Sequence, residues 1–177
     1  MPVTIVDYDS AWPVRFAEQR AAILAADNSW VVHIDHIGST AVPGLAAKPI
    51  IDIAVAVKDV DTDGAALSDA VRSLGYEPFD AGMPGRLMLT RDEHGVRTHH
   101  LHIMPLARWD LMKERLMRDW LLTHPVDRDR YAALKRDIAT TGADGLAYTR
   151  AKTAFVQEIV DAARAARGLA SENVWEE

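Results

Sequence analysis

The chain has no cysteine, which excludes disulfides and thiolate metal sites. It has no apolar run near the roughly 20 residues that a bilayer-spanning helix needs. Its opening, MPVTIVDYDSAWP, lacks the basic stretch and apolar core of a secretory signal. It also lacks a basic excess: 20 Lys and Arg stand against 26 Asp and Glu, a formal net charge of −6. That balance argues against long nucleic acid as a partner, because phosphate neutralisation needs basic patches, although it leaves room for a local basic cleft. Repeats and low-complexity tracts are missing too. These absences are the ones expected of a cytoplasmic protein with no membrane attachment.

What is present is a chain of 177 residues, 49% hydrophobic, enough for a sizeable core. Residues 3–6 read as a short β segment. Ser10 is the expected N-cap of a helix over 13–26, with Pro13 tolerated in its first turn. Alternation predicts a strand over 30–37. Pro43-Gly44 marks a turn after a short helix beginning at Ser39, and 50–57 is a second strand. A helix over 65–74 ends at Gly75. Strands are expected at 76–79, 86–90 and 97–104, separated by loops at 81–85 and 91–95. Helices at 108–123, 126–139 and 147–168 follow, and the last ten residues read as frayed. The expected fold is α+β: a mixed sheet of about five strands with flanking helices and a C-terminal helical extension. The expected division is a core over 1–106 and a helical region over 107–177, packed as one compact unit.

Asp52 is the first chemical signal. It lies inside Ile50-Ile51-Asp52-Ile53-Ala54-Val55-Ala56-Val57, a run expected of a strand covered on both faces. A carboxylate there is costly unless it is paired, hydrogen-bonded or metal-bound. Gly38-Ser39, at the end of the preceding strand, offers backbone N–H groups and a hydroxyl suited to phosphate. A tight turn beside a loop-capping aspartate is the plain structural alternative.

Thr98-His99-His100-Leu101-His102-Ile103 is the second signal. In a strand, His100 and His102 share one face. With Asp52 they form a candidate metal set, in which imidazole favours zinc, manganese or iron. Substrate or proton-transfer contact and a purely structural role stand as alternatives. His36 could join this cluster, whereas His33 and Asp35 are expected on the opposite side or in solvent. Among the cations, Lys48 sits at the mouth of the second strand, and Arg86 and Arg97 bracket the strand pair leading to the histidines. Tyr131 and Lys135, like Tyr148 and Lys152, are four residues apart and share a helical face. Each pair suits either base stacking with phosphate contact or ordinary packing.

Several motifs carry a wider resemblance: His36-Ile37-Gly38-Ser39-Thr40, Val42-Pro43-Gly44-Leu45, Lys48-Pro49-Ile50-Ile51-Asp52, His100-Leu101-His102, Arg118-Asp119, Tyr131 to Lys135 and Tyr148 to Lys152. In these the chain resembles the GrpB-like family, a branch of the polymerase-beta-type nucleotidyltransferase superfamily. The resemblance implies a nucleotidyltransferase-type sheet, a nucleoside triphosphate and a small acceptor as partners, and a divalent metal (Mg, Mn or Zn). It implies Asp52, Ser39 and Lys48 as catalytic residues. It implies Gly38, Ser39, Thr40, Lys48, Arg97, Arg118, Tyr131, Lys135, Tyr148 and Lys152 as substrate contacts, with Asp52, His100 and His102 at the metal. By position, the two histidines stand where the superfamily has its third carboxylate. The superfamily's second carboxylate would fall at Ala54, so a standard two-metal site cannot be built from this strand. Family members often carry a basic residue near Leu122, which this chain lacks. The function implied is metal-dependent nucleotidyl transfer. The alternatives are a noncatalytic nucleotide- or metabolite-binding module and a His/Asp-metal nucleotide phosphohydrolase.

Overall fold

The structure is a computed structural model and describes residues 3–174. Five strands form one mixed sheet: β1 (His33–Ile37), β2 (Ile51–Val57), β3 (Tyr76–Pro78), β4 (Leu87–Glu93) and β5 (Val96–Pro105). Their order is β1-β2-β5-β4-β3. All neighbours are antiparallel except β2 and β5, which run parallel. The helices are α1 (Trp12–Ala26), α2 (Ala65–Ala70), α3 (Lys113–Thr123), α4 (Pro125–Thr140), α5 (Gly145–Ala151) and α6 (Thr153–Ala165). This is the α+β architecture that the sequence predicts.

Strand alternation divides the core. Ile51, Ile53, Val55 and Val57 turn to one face of the sheet and pack with Leu89, Leu101 and Ile103 against Trp12 and Ile23 of α1 and Leu67 of α2. The other face of β2 carries Asp52, Ala54 and Ala56. The two alanines join Ile37, Met104, Trp109 and Met112 in a smaller apolar cluster. A third cluster ties α3, α4 and α6 to the segment after β1, through Leu116, Leu121, Tyr131 and Ile159 against Val42 and Leu45. The C-terminal helices thereby cover the face on which Asp52 lies.

Several local expectations change. Residues 3–6 form no strand; Val6 makes only an isolated bridge to Ala47. Ser10 does not cap α1, because Ala11 takes the cap position and its N–H is accepted by Asp9 Oδ1 at 2.8 Å. The expected loop at 91–95 is mostly strand. β4 runs to Glu93, and only His94 and Gly95 turn, with φ of +52° and +77°; positive φ at both central residues suits a two-residue hairpin. The helix expected over 147–168 breaks at Lys152, whose N–H bonds three residues back to Thr149 O, tightening the turn. Residues 168–174, expected to fray, are tied down. Val174 is buried, Lys113 Nζ donates to its carbonyl, and Arg164 donates to Ala170 O. Residues 175–177 of that expectation lie outside the described residues.

A candidate metal and phosphate site

The site starts from a turn that only glycine fits. Gly38 leaves β1 with φ +70° and leads into one turn of 3₁₀ helix at Ser39–Ala41. A Cβ built on Gly38 would lie 2.4 Å from Asp52 Oδ2, so the backbone and the carboxylate are pressed together. The strand register brings in the rest. Asp52 pairs with Ile37 of β1 on one side and with His100 of β5 on the other, and Ala54 pairs with His102. His100 Nδ1 lies 2.8 Å from Asp52 Oδ1. One ligand atom from each of Asp52, His100 and His102 falls within 4.8 Å of the others, which makes the parallel β2–β5 pair the frame of the cluster.

Electrostatics set the states of Asp52 and His102. Burial pushes the Asp52 carboxyl up, but the His100 hydrogen bond and the nearby imidazoles outweigh it and hold the group below its ordinary value. Burial lowers His102 to about 4, so this ring is neutral at pH 7 and available as a ligand. Its side chain is 5% exposed, and Nδ1 has no hydrogen-bond partner among the described residues. One carboxylate with two imidazoles is a donor set for zinc, manganese or iron rather than for magnesium, which prefers oxygen. These residues fit such an ion.

Three lysines converge on the same turn. Lys135, from α4, donates to Ser39 Oγ at 3.0 Å and lies 4.4 Å from the Tyr131 ring centroid. Lys48 and Lys152 both lie over the Tyr148 ring, at 4.4 and 4.3 Å. The Asp52 charge acts on all three amines. Burial, with Lys152 and Arg136 nearby, depresses Lys135 to about 6. Burial and Lys48 bring Lys152 to about 8, and burial lowers Lys48. Burial raises Tyr131 and Tyr148, which stay neutral phenols. Buried amines whose charged forms are disfavoured in this way form a site that gains from an anion.

Of the residues singled out in the sequence, Gly38, Ser39, Lys48, Asp52, His100, His102, Tyr131, Lys135, Tyr148 and Lys152 come together here. Others do not. Thr40 is fully occupied, donating to Ile50 O and bonding His36 Nε2 at 2.9 Å. Arg97 pairs with Asp92 near the hairpin and lies over Phe79. Arg118 donates to His36 O at 2.7 Å and pairs with Asp35 and Asp119, so it fastens α3 to β1. The side expected for the β1 residues is reversed. His36 stands opposite Ile53 in the register and stacks on Phe16 of α1, on the other face of the sheet from Asp52, although the two still act on each other electrostatically. Asp35 stands opposite Ala54, on the Asp52 face, where Arg115 and Arg118 hold its carboxylate at 3.2 Å each.

Sequence reasoning missed Glu114 altogether. In Lys113-Glu114-Arg115 it is one charge among several within the helix expected over 108–123. In the fold it receives Arg86 Nη2 at 3.0 Å and is the strongest charge acting on His102. No local pattern announces it, because its partners come from β5 and the approach to β4.

Comparison with known proteins places these residues in a family. The chain matches the GrpB protein family over residues 2–162. It is 40% identical over 171 residues to a UPF0157 protein of Pseudomonas aeruginosa, covering 93% of this chain and 69% of the relative. Its structure superposes on the conserved protein GrpB from Enterococcus faecalis with a TM-score of 0.81 and 31% identity, covering 90% of this chain and 96% of that one. The Cid1 poly(U) polymerase H336N mutant bound to MgATP gives a TM-score of 0.47 at 14% identity, over 75% of this chain and 45% of that one, too slight a likeness to argue from. The chain belongs to the GrpB family.

Proposed function

We propose that the protein transfers a nucleotidyl group from a nucleoside triphosphate to a small-molecule acceptor, with a divalent cation held by Asp52, His100 and His102. The observation that carries this reading is the meeting, at one glycine-serine turn, of a three-residue cation-binding set with three buried or half-buried lysines under the influence of the same carboxylate. A cation site beside an anion site is what a metal–polyphosphate ligand requires. When bound, the ion would polarise phosphoryl oxygens. Ser39 and the adjoining backbone would hold the outer phosphates, with Lys135 already on the Ser39 hydroxyl. Lys48 and Lys152 would neutralise the charge that grows on departing pyrophosphate. The acceptor hydroxyl oxygen would bond to the α-phosphorus, its proton passing to solvent, as the bond to pyrophosphate breaks, and pyrophosphate would leave with that electron pair. An acidic chain favours a small acceptor over long nucleic acid.

One observation favours a second reading, a noncatalytic nucleotide- or metabolite-binding module on the same scaffold. Ala54 is fully buried in an apolar cluster, and the nearest candidate to replace a carboxylate there, Asp35, is committed to two arginines. Calorimetric titration of the metal-stripped protein with Mn²⁺ and Zn²⁺, with and without nucleoside triphosphates, tests the shared part of both readings. Binding that is lost in both Asp52→Asn and His100→Ala supports the metal site. Pyrophosphate release that depends on an acceptor then separates transferase from binding module, and phosphate release without an acceptor indicates a phosphohydrolase. A wild-type protein that binds neither metal nor nucleotide refutes the transferase reading.

A further inference from the structure

Four buried side-chain polar atoms among the described residues have no hydrogen-bond partner, and two of them, His102 Nδ1 and Glu114 Oε2, belong to side chains close enough to act on each other electrostatically. Glu114 reaches this position from the first turn of α3, while His102 projects from the centre of β5. Glu114 is not adrift: its other oxygen, Oε1, accepts Arg86 Nη2 at 3.0 Å. That ion pair fixes the carboxylate and leaves Oε2 to look for a donor. Arg86 stands just before β4, whose Met88 pairs with His102. Three separate stretches of the chain therefore meet at one imidazole edge.

We propose that Glu114 is the positioning residue of His102: its Oε2 accepts the Nδ1–H, and the ring thereby presents Nε2 to the Asp52 cleft. The chemistry needs such a partner. A neutral imidazole carries its proton on either nitrogen, and only the unprotonated one binds a cation. A ring whose buried nitrogen faced no acceptor would divide between the two tautomers. A carboxylate behind the ring removes that choice, sets its orientation and raises the basicity of the ligating nitrogen. A single hydrogen bond would satisfy both orphaned atoms, each of which is otherwise expensive to bury. The proposal deepens the metal reading and rests on it. It adds a fourth side chain, Glu114, and the arginine that holds it, Arg86, neither of which touches the ion.

Two measurements test it on the intact protein. In the metal-free wild type, long-range ¹H–¹⁵N correlation spectra, assigned by comparison with His102→Gln, report which nitrogen of His102 carries the proton. The expected result is protonation at Nδ1; a proton on Nε2 overturns the proposal and requires no variant that might fail to fold. Zn²⁺ affinity is then measured by chelator competition for wild type and Glu114→Gln, which keeps the shape and an oxygen for Arg86. The expected loss is about 10- to 100-fold. Equal affinity in the two proteins overturns the proposal while the metal site stands. A wild type that binds no Zn²⁺ or Mn²⁺ overturns the metal reading itself, and the proposal with it.

Discussion

Lys135 makes the sharpest prediction, because its burial ties stability to pH with a known sign. The side chain is 2% exposed, and burial brings its pKa from 10.5 to about 6. Between those values the unfolded chain carries a proton that the folded chain lacks. Stability must therefore rise with pH across that window, by about 1.4 kcal/mol per unit for one group, and level off below about 6 and above 10.5. Lys135→Met removes the term. The stability of wild type relative to this variant should climb by about 3 kcal/mol between pH 7 and pH 9, and should change little between pH 4.5 and 5.5. At pH 7 the ordering itself should favour the variant. The proton penalty on the wild type is on the order of 5 kcal/mol, against about 1 kcal/mol for the hydrogen bond of the neutral amine to Ser39. Urea denaturation at fixed ionic strength, followed by fluorescence at pH 5, 7 and 9, gives each value. A difference between the two proteins that stays flat from pH 7 to 9 refutes the reasoning and means that Lys135 remains charged in the fold.

The same amine should reveal itself on ligand binding: at pH 7.5, saturation with a nucleoside triphosphate should take up about one proton, as Lys135 recovers its charge beside phosphate, read from calorimetry in buffers of different ionisation heat. Zero uptake with tight binding would place the phosphates elsewhere. Gly38→Ala should destabilise the protein by about 2 kcal/mol or more, since its Cβ would meet Asp52 Oδ2 at 2.4 Å in a backbone with φ +70°; a variant of unchanged denaturation midpoint contradicts that packing. Asp52→Asn should abolish Mn²⁺ binding and leave the fold intact. Because the Asp52 pKa is depressed in the fold, its stabilising contribution is present above the ordinary value of 3.8 and fades as pH falls through the lower folded value. The variant should therefore be somewhat less stable than wild type at pH 7, with the gap closing in acid, and a variant more stable at pH 7 would show Asp52 to be a strained charge.

Much of this was legible because period and composition act locally. The apolar run around Asp52 announced β2, and His100 and His102 shared a face because strands alternate. Gly38 before Ser39 marked the turn. What was not legible depended on register. His36 and Asp35 differ by one residue, so they lie on opposite faces, and which of them meets Asp52 depends on the pairing of Ile37 with Asp52. The role of Arg118 depended on where α3 crosses the sheet, and that of Glu114 on a partner 28 residues earlier, Arg86. The hairpin residues His94 and Gly95 were read as part of a loop because polar turn residues look alike whether they end a strand or replace one.

The one parallel pairing in the sheet has a consequence for folding kinetics. Asp52 and His100 are 48 residues apart, and Ser39 and Lys135 are 96. No hairpin or single helix can therefore bring Asp52 to His100, or Ser39 to Lys135. A parallel pair forms only after a long crossover has closed, and such loop closure is slow. The cluster should therefore mature late, with the β2–β5 seam, and native-state hydrogen exchange should find no local opening that dismantles it while sparing that seam.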